Sequence, residues 1–327
     1  MLEKQKGWIA AIFIGFLWGT PWVVGTPLME VMDSKMLVWL RYVVASITLF
    51  VILQVMRKSI AAEGYKKFSY SWDNRVDVVK TFACGFIGQA LFSYFAFLSL
   101  DYITASENGV IMGLIPIQIL AVGFVTRGER FTLMQVGAAC LAFAGVTMLV
   151  YDPALNSDGF SIGHLIAFMS AFAFASTAYT RADLAKKYGS ISTMYHQFIF
   201  AAVGFTFVVM FYGLDFTTAL GAFTAPSRIL SIFILGVFIS GISYLIYIYG
   251  ITKVGVDGTG MALNLMPLAS FVLAAVVLSE PVTLWKCAAI AIVVAALMVF
   301  VKATANRNKA AAAQQAVNAT VATDMAN

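Results

Sequence analysis

Charged residues are scarce in this sequence. Only 11% of its 327 residues are Asp, Glu, Lys or Arg, and 61% are hydrophobic. The mean hydropathy is +0.87. A soluble domain carries about 25% charged and 45–50% apolar residues. No soluble core could bury this much apolar surface, so the composition excludes a soluble protein and predicts an integral membrane protein.

Histidine and cysteine are also rare. The two histidines, His164 and His196, lie at opposite ends of predicted helices, and no HExxH or GxSxG motif occurs, so an intramembrane enzyme is disfavoured. The cysteines Cys84, Cys140 and Cys287 lie in or beside apolar runs without metal-site spacing, and we interpret them as small packing residues. A Walker-type GxxxxGK[ST] loop is absent as well. The sequence therefore predicts no catalytic residue, metal or cofactor.

Long apolar runs dominate the chain instead, without the alternation that marks a membrane β-barrel. Each is close to the roughly 20 residues that cross a bilayer as a helix. The ten runs are 7–29, 36–56, 78–98, 103–126, 133–151, 161–181, 191–213, 227–250, 256–279 and 282–301. They predict an all-α integral membrane protein with ten transmembrane helices. The tail 303–327 is rich in Ala, Gln, Asn and Thr, and we expect it to be a disordered cytoplasmic extension.

Basic residues predict the orientation of these helices. With the N-terminus in the cytoplasm, all but four of the 21 Lys and Arg residues fall in cytoplasmic segments. The four exceptions are Lys35, Arg41, Arg228 and Lys286. Because short basic loops remain in the cytoplasm, both termini are predicted to lie there. The same asymmetry explains a pI near 9.0 without nucleic acid as a partner.

One sequence pattern occurs twice in the chain. IPIQILAVGFVTRGERFT begins at Ile115, and MPLASFVLAAVVLSEPVT begins at Met266. Their prolines, Pro116 and Pro267, are 151 positions apart, and so are the glutamates near their ends. Those glutamates are Glu129 and Glu280. The first loop is basic (RGER) and the second is not (SEP), as expected if they face opposite sides of the membrane.

The repetition extends to the start of each half. GWIAAIFIGFLWGT from Gly7 aligns with GHLIAFMSAFAFAS from Gly163. We predict a first repeat at 1–152 with helices 1–5, and a second at 161–302 with helices 6–10. Five helices are an odd number, so the second repeat enters the membrane inverted. Inverted repeats are typical of secondary transporters, whose substrate site lies near the midplane between the repeats.

Several segments resemble the drug/metabolite transporter superfamily, in its ten-helix EamA-type branch. They are FLWGTPWVVGTPLM in helix 1, MLVWLRYVVA in helix 2, FLSLDYITASENGVIMG and the first Pro…Glu block in helices 3 to 5, and ISYLIYIYGITKVGVDGTG with the second block in helices 8 to 10. The resemblance covers roughly 7–301. It implies an inner-membrane permease, often an exporter of amino acids or other small metabolites. Family members often have small or apolar residues where this chain has Glu107 and Asn108.

Two charged residues lie near the predicted outer ends of their helices. Arg41 is in helix 2, and Glu107 is in helix 4. An intramembrane charge is costly and is by default a functional hypothesis. We expect Arg41 and Glu107 to approach each other or to share a substrate, with Arg41 binding a carboxylate and Glu107 coupling protons. The alternatives are an interfacial Arg41 that stabilises the fold and a Glu107 that favours its helix N-terminus.

A second polar group is predicted at the inner end. His196 and Gln197 begin helix 7, Asp257 begins helix 9, and Lys253 lies near them in sequence. Histidine titrates nearest to neutral pH, so we predict an inner gate or a proton-coupling group there. The alternatives are an Asp257 that caps its helix and a solvated His196.

Polar and aromatic residues within the runs are the candidates for the wall of a substrate cavity. In lipid such groups should face protein or water. Together they suit a small amphipathic solute. They are Trp18, Thr20, Gln89, Ser93, Tyr94, Gln118, Ser176, Thr177, Tyr179, Ser240, Ser243, Tyr244, Tyr247 and Asn264, with Arg41, Glu107 and Asn108. By contrast, the spacings Gly15–Gly19 and Gly109–Gly113 predict close helix packing, and Pro116 and Pro267 predict bends in helices 4 and 9.

The predicted function is therefore a metabolite exporter, with a small-molecule solute and the lipid bilayer as partners and protons as a candidate coupling ion. The alternative is a multidrug or cation–proton antiporter of the same superfamily, which would be expected to place a carboxylate deep in helix 1. None occurs between Gly7 and Met29. Carriage of sugars and a role as a membrane scaffold or sensor also stay open.

Overall fold

The computed structural model describes residues 2–55, 75–153, 159–213, 220–221 and 223–326. We number ten membrane passages α1 to α10 and mark the parts of interrupted ones a and b. The parts are α1a (Leu2–Trp18), α1b (Pro21–Met29), α2 (Ser34–Val55), α3a (Arg75–Gly85), α3b (Phe92–Ser99), α4a (Ala105–Met112), α4b (Ile115–Arg127), α5 (Leu133–Val150), α6a (Ile162–Ser176), α6b (Ala178–Tyr188), α7 (Ser190–Phe211), α8a (Pro226–Phe233), α8b (Ser243–Leu263), α9 (Met266–Val277) and α10 (Leu284–Ala326).

The all-helical architecture predicted from the apolar runs is confirmed. Within the described ranges, nine helices are long and apolar enough to cross a membrane, and Met266–Val277 is a shorter apolar helix. No strand occurs in these ranges. A helix satisfies its own backbone N–H and C=O groups, for which a bilayer offers no water.

The helix interruptions are matched between the two halves of the chain. α1 breaks before Pro21 and α6 breaks at Thr177, while α4 and α9 each restart one residue before a proline. Proline has no N–H to donate, so the first turn of a helix is where it is best tolerated. Pro116 and Pro267 thus mark restarts of helices rather than bends within them. α3 and α8 instead contain wide π-helical turns, Phe86–Leu91 and Ile234–Ile242.

Small residues bring the interrupted helices together across the repeats. A methyl group at Gly15 would overlap the carbonyl oxygen of Ala262, and one at Gly19 would meet Ala269. Gly109 lies against Ser270, whose hydroxyl donates to the carbonyl of Ala105 (3.0 Å). The packing role predicted for the two GxxxG spacings is confirmed, because glycine allows backbones to approach this closely.

α8b includes the change of direction between the eighth and ninth passages. Ser243 accepts a hydrogen bond from Trp18, and Lys253 lies against Gly7. At 1.5 Å per residue, Gly7 and Trp18 are about 16 Å apart along α1a. From Ser243 to Lys253 the chain therefore runs alongside α1a toward the N-terminal end of that helix. It then turns back, since Ala262 packs against Gly15, nearer the C-terminal end of α1a.

Charged contacts define the two ends of the bundle. We call the end at which the chain begins the N-side face. It holds the ion pairs Glu3–Lys253 (2.9 Å) and Glu129–Arg307 (2.8 Å). The other end, the opposite face, holds Glu280 and the loops between α1 and α2 and between α3 and α4.

The structure departs from the sequence prediction at the C-terminal tail. Instead of a disordered extension after residue 303, α10 continues as a helix to Ala326. Its many alanines have high helix propensity, and Arg307 anchors its first part to Glu129 (2.8 Å). Among the cysteines, Cys84 is buried, whereas Cys140 and Cys287 are exposed on the helix bundle.

Candidate substrate cavity

The helix interruptions surround one central cavity. Its wall includes Trp18 and Pro21 at the α1 break, Gly113 at the α4 break and Asn264 between α8b and α9. The π-helical turns of α3 and α8 contribute further residues, and the cavity volume is about 110 Å³. Both repeats therefore contribute to a cavity in the middle of their helices.

Part of the predicted wall lies on this cavity. Of the candidate residues, the structure places Trp18, Arg41, Gln89, Tyr244 and Asn264 on its lining. Apolar surface dominates the rest of the lining, which includes the rings of Trp22, Phe92 and Phe174. The cavity thus combines a few polar groups with a large aromatic surface, as expected of a site for an amphipathic molecule.

The aromatic side of the cavity is held by a contact between the repeats. Trp18 donates its indole N–H to the Ser243 hydroxyl (2.9 Å). Its ring centroid lies 5.2 Å from that of Tyr244 and 5.0 Å from that of Tyr247. These are favourable distances for tilted aromatic pairs. Ser243 and Tyr247 therefore support the lining residues Trp18 and Tyr244.

Arg41 is the charged residue of the lining. Only 7% of it is exposed, and its Nε donates to Ser240 Oγ (2.7 Å). Its Nη1 donates to Ser93 Oγ at a longer 3.4 Å, and its guanidinium lies over the rings of Tyr42 and Phe97. Ser240 belongs to the π-helical turn of α8, so this turn brings the second repeat to Arg41. All of these partners are neutral.

Two polar groups on the lining lack hydrogen-bond partners in the described part of the chain. They are Nε1 of Trp22 and Nδ2 of Asn264, and each residue is only 2% exposed. A buried polar group without a partner costs about 1–3 kcal/mol. Such groups are expected to bind water or a ligand in the cavity.

Glu107 lies away from Arg41 and does not contact it. Its Oε2 accepts hydrogen bonds from the backbone N–H (2.8 Å) and the hydroxyl (2.9 Å) of Thr104, and these bonds form a capping box at the start of α4a. Its Oε1 is 3.9 Å from Nε2 of His164 on α6. The partner of Glu107 across the repeats is therefore His164, which lies in the second repeat.

Other candidate residues satisfy nearby backbone groups. Thr20 donates to the carbonyl of Leu17 (2.8 Å), and Asn108 donates to that of Ala96 (3.3 Å). Gln118 donates to the carbonyl of Phe168 (3.3 Å). The bonds of Asn108 and Gln118 connect α4 to α3 and α6, and they place these side chains in helix packing rather than on the central cavity.

Two candidate tyrosines lie near the ends of the bundle. Tyr94 lines a separate crevice at the opposite face, together with Lys35 and Asp101. Tyr179 donates to Glu129 Oε1 (2.9 Å) near the N-side face. The structure therefore brings neither to the central cavity.

Two residues of the predicted inner gate have other partners in the described part of the chain. His196 shares a hydrogen bond with the carbonyl of Ser192 (2.7 Å), and Lys253 pairs with Glu3. The side chain of Asp257 lies outside the described residues. Gln197 aligns with Arg41 at the same offset that separates Gly7 from Gly163 (156 positions). It is fully buried, and neither atom of its amide has a partner in the described part of the chain.

The sequence reasoning missed two residues near the cavity. Trp22 follows Pro21 in the FLWGTPW segment, and its position just after a helix break was the available signal. Arg181 was assigned only to a basic loop. Its Nη2 donates to the Thr177 hydroxyl (2.8 Å), and its guanidinium lies 4.0 Å from the ring centroid of Phe174, a lining residue.

The paired interruptions, the cavity between the repeats and the two Pro…Glu blocks agree with a comparison to known families. The sequence matches the EamA-like transporter family over residues 5–151 and 161–302, one match for each repeat. The chain belongs to this family. The resemblance to the drug/metabolite transporter superfamily is thereby confirmed.

Individual relatives of this EamA-like protein are also described as transporters. An uncharacterized transporter of Archaeoglobus fulgidus is 24% identical over 91% of this chain and 99% of its own length. The uncharacterized transporter YetK of Bacillus subtilis is 21% identical over 92% of this chain and 88% of its own length. A solved crystal structure has a TM-score of 0.62 at 18% identity, covering 91% of this chain and 95% of that one. This similarity shows the fold alone.

Among the described residues of this EamA-like chain, no group of three or more His, Cys, Asp or Glu side chains could hold a metal ion. The central cavity offers aromatic rings, amide groups and one guanidinium, which can bind a solute.

Proposed function

We propose that the protein is a secondary-active or facilitative transporter that exports amino acids or related small metabolites by alternating access between its two inverted repeats. The observation that supports this most directly is the central cavity, because both repeats form it at matched helix interruptions. In transporters with inverted repeats, the site lies between the repeats, and rocking of one against the other exposes it to each side in turn.

The proposed orientation places both termini in the cytoplasm of a bacterial-type inner membrane. Basic side chains support it, since Arg127, Lys187 and Lys253 all lie at the N-side face, where they pair with acidic groups. The positive-inside rule associates such a face with the cytoplasm.

Protons are the proposed coupling ion. Glu107 and His164 support this role because they join the two repeats near the opposite face, and both are largely buried. At 3.9 Å the two groups would have to move closer for a proton to pass between them, as a rearrangement of the repeats could allow. The cation–antiporter alternative gains no support, because the described lining contains no acidic residue.

Counterflow in proteoliposomes tests the proposal. Vesicles loaded with unlabelled amino acids should accumulate the labelled amino acid of at least one chemical class, and a pH gradient should change the rate if protons are coupled. Trp18→Ala removes the ring that contacts Tyr244 and Tyr247 and should lower the rate at least tenfold. Trp285→Ala, at an exposed site on α10, is the matched control and should leave the rate within about twofold.

The outcomes separate the candidate functions. Accumulation of an amino acid that depends on Trp18 supports the proposal. Accumulation of a cationic dye without any amino acid would favour the multidrug antiporter instead. If neither class moves, amino-acid transport is rejected.

A further inference from the structure

The central cavity carries a positive charge without a counter-charge. Arg41 lies on its lining, and no described lining residue is acidic. No ion pair to Arg41 occurs among the described residues, and its partners are hydroxyl groups and aromatic rings. A buried, unpaired charge is costly within a membrane protein. An anion in the cavity would remove much of that cost.

The hydrogen-bond donors of the lining that lack partners also favour an anion in the cavity. The indole N–H of Trp22 and the amide Nδ2 of Asn264 are donors without partners in the described part of the chain. Arg41 has five N–H donors, of which the hydroxyls of Ser240 and Ser93 engage only some. Gln89, by contrast, is already bonded to Tyr42 and Met194. The cavity therefore has an excess of donors, and an ionised carboxylate is an acceptor-only group.

The helix ends do not decide the sign of the preferred charge. At each break one helix ends and another begins, as at Met112 and Ile115, so negative and positive dipole ends both reach the cavity. Side chains must therefore determine the preference, and the charged side chain on the lining is a guanidinium. Guanidinium and carboxylate form strong charge-assisted hydrogen bonds.

A second guanidinium lies close to the cavity on its N-side. Arg181 stacks on Phe174, and its Nη2 is so near the backbone of Gly88 in α3 that a methyl group there would lie 2.9 Å from it. Its buried Nε has no hydrogen-bond partner, and Arg181 makes no ion pair among the described residues. Arg41 and Arg181 come from different repeats, so an anion moving through the cavity would pass from one positive group toward the other.

We propose that the transported solute is an organic monoanion whose carboxylate binds Arg41 with the N–H groups of Trp22 and Asn264, while an apolar or aromatic body lies against Trp18 and Phe174. No group on the described lining is a counter-charge for an ammonium, so the solute does not need one. Arg181 attracts the same anion at the N-side of the cavity. The inference rests on the proposed transport function and names the substrate class within it.

Four probes that share a phenylpropyl or closely similar body test the assignment. They are 3-phenylpropionate, phenylalanine, 3-phenylpropionamide and 3-phenylpropylamine, which differ in charge rather than in size. Binding to the purified full chain is measured by quenching of tryptophan fluorescence and by calorimetry. The two carboxylates should bind at least tenfold more tightly than the amide and the amine, and 3-phenylpropionate should bind at least as tightly as phenylalanine.

Substitutions locate the carboxylate. Arg41→Gln should remove the preference for carboxylate over amide, and Arg41→Lys should retain part of it. Arg181→Gln should weaken binding of 3-phenylpropionate several-fold without removing the preference. Arg130→Gln removes the same charge from an exposed loop and should change nothing. The probe series on the unsubstituted protein gives an answer even if Arg41→Gln does not fold.

Each outcome has one meaning. A carboxylate preference that disappears in Arg41→Gln, or that is shown by the unsubstituted protein alone when this variant does not fold, supports the assignment. Equal binding of all four probes, tighter binding of the amine, no binding of any probe or an unchanged preference in Arg41→Gln overturns it. Carboxylate binding without counterflow of any solute would instead reject the transport function and leave the anion site in place.

Discussion

At the scale of single residues, Glu107 has two contacts that can be separated by substitution. One carboxylate oxygen caps α4a through Thr104, and the other faces His164. Glutamine also serves as the third residue of a capping box, so Glu107→Gln should keep stability within about 0.5 kcal/mol. Glu107→Ala removes the cap and should cost about 1 kcal/mol. Thermal unfolding in detergent measures both.

Glu107→Gln, together with a second variant at His164, also tests proton coupling. Because glutamine cannot release a proton, Glu107→Gln should flatten the dependence of counterflow on a pH gradient while the folded protein is retained. His164→Gln should have a similar effect, since it removes the titratable partner. Full activity of Glu107→Gln with an unchanged pH dependence would limit Glu107 to its capping role.

At the scale of helices, the hydrophobic runs were readable because a membrane helix needs about 20 apolar residues. The breaks were partly readable, since Pro116 and Pro267 cannot donate to a preceding turn. The contacts of Arg41 and Glu107 could not be predicted from the sequence, because sequence position gives the depth of a residue but not its neighbours. The spacing Thr104–Glu107 did contain the signature of a capping box. This signature predicts that Glu107 caps the N-terminus of its own helix.

Close helix contact gives a prediction for α1. Gly15→Ala places a methyl group on the carbonyl oxygen of Ala262, and the backbone there cannot move as a flexible side chain would. Overpacking of this kind commonly costs about 1–3 kcal/mol. Gly137→Ala in α5 is the matched control, because nothing lies within 4 Å of the added methyl group. It should stabilise the protein by up to about 1 kcal/mol through helix propensity.

Detergent thermal stability of the two alanine variants compares these effects directly. A lower unfolding temperature for Gly15→Ala and an equal or higher one for Gly137→Ala would support the close approach of α1a to Ala262. Equal stability of both variants would contradict it.

At the scale of the whole molecule, the repeated glutamates join the two repeats at opposite faces. Near the N-side face, Glu129 accepts hydrogen bonds from Tyr179 and Arg307, both in the second half of the chain. At the opposite face, Glu280 accepts them from the backbone N–H of Ala105 and the hydroxyl of Ser106, both in the first half. The sequence pattern identified this pair, but only the fold shows that each glutamate contacts the other repeat.

The contacts of Glu280 with α4a should favour closure of the opposite face. Hydrogen bonds to a charged group are worth about 1.5–3 kcal/mol, and conformations of a transporter commonly differ by only a few kcal/mol. Glu280→Ala should therefore shift the population toward a state that is open at this face, by about tenfold or more. A reporter cysteine at Ile115, which lines the cavity, can measure the shift.

The measurement uses Ile115→Cys in a chain whose three native cysteines are replaced by alanine, labelled with a membrane-impermeant maleimide outside intact cells. Under the proposed orientation, the opposite face lies on the outer side of the membrane and is exposed to this reagent. Glu280→Ala should raise the labelling rate about tenfold, because the first turn of α4a loses its two hydrogen bonds to Glu280. Glu30→Ala removes an exposed carboxylate from the same face and should leave the rate unchanged. Equal rates in both variants would mean that Glu280 does not control access to the cavity.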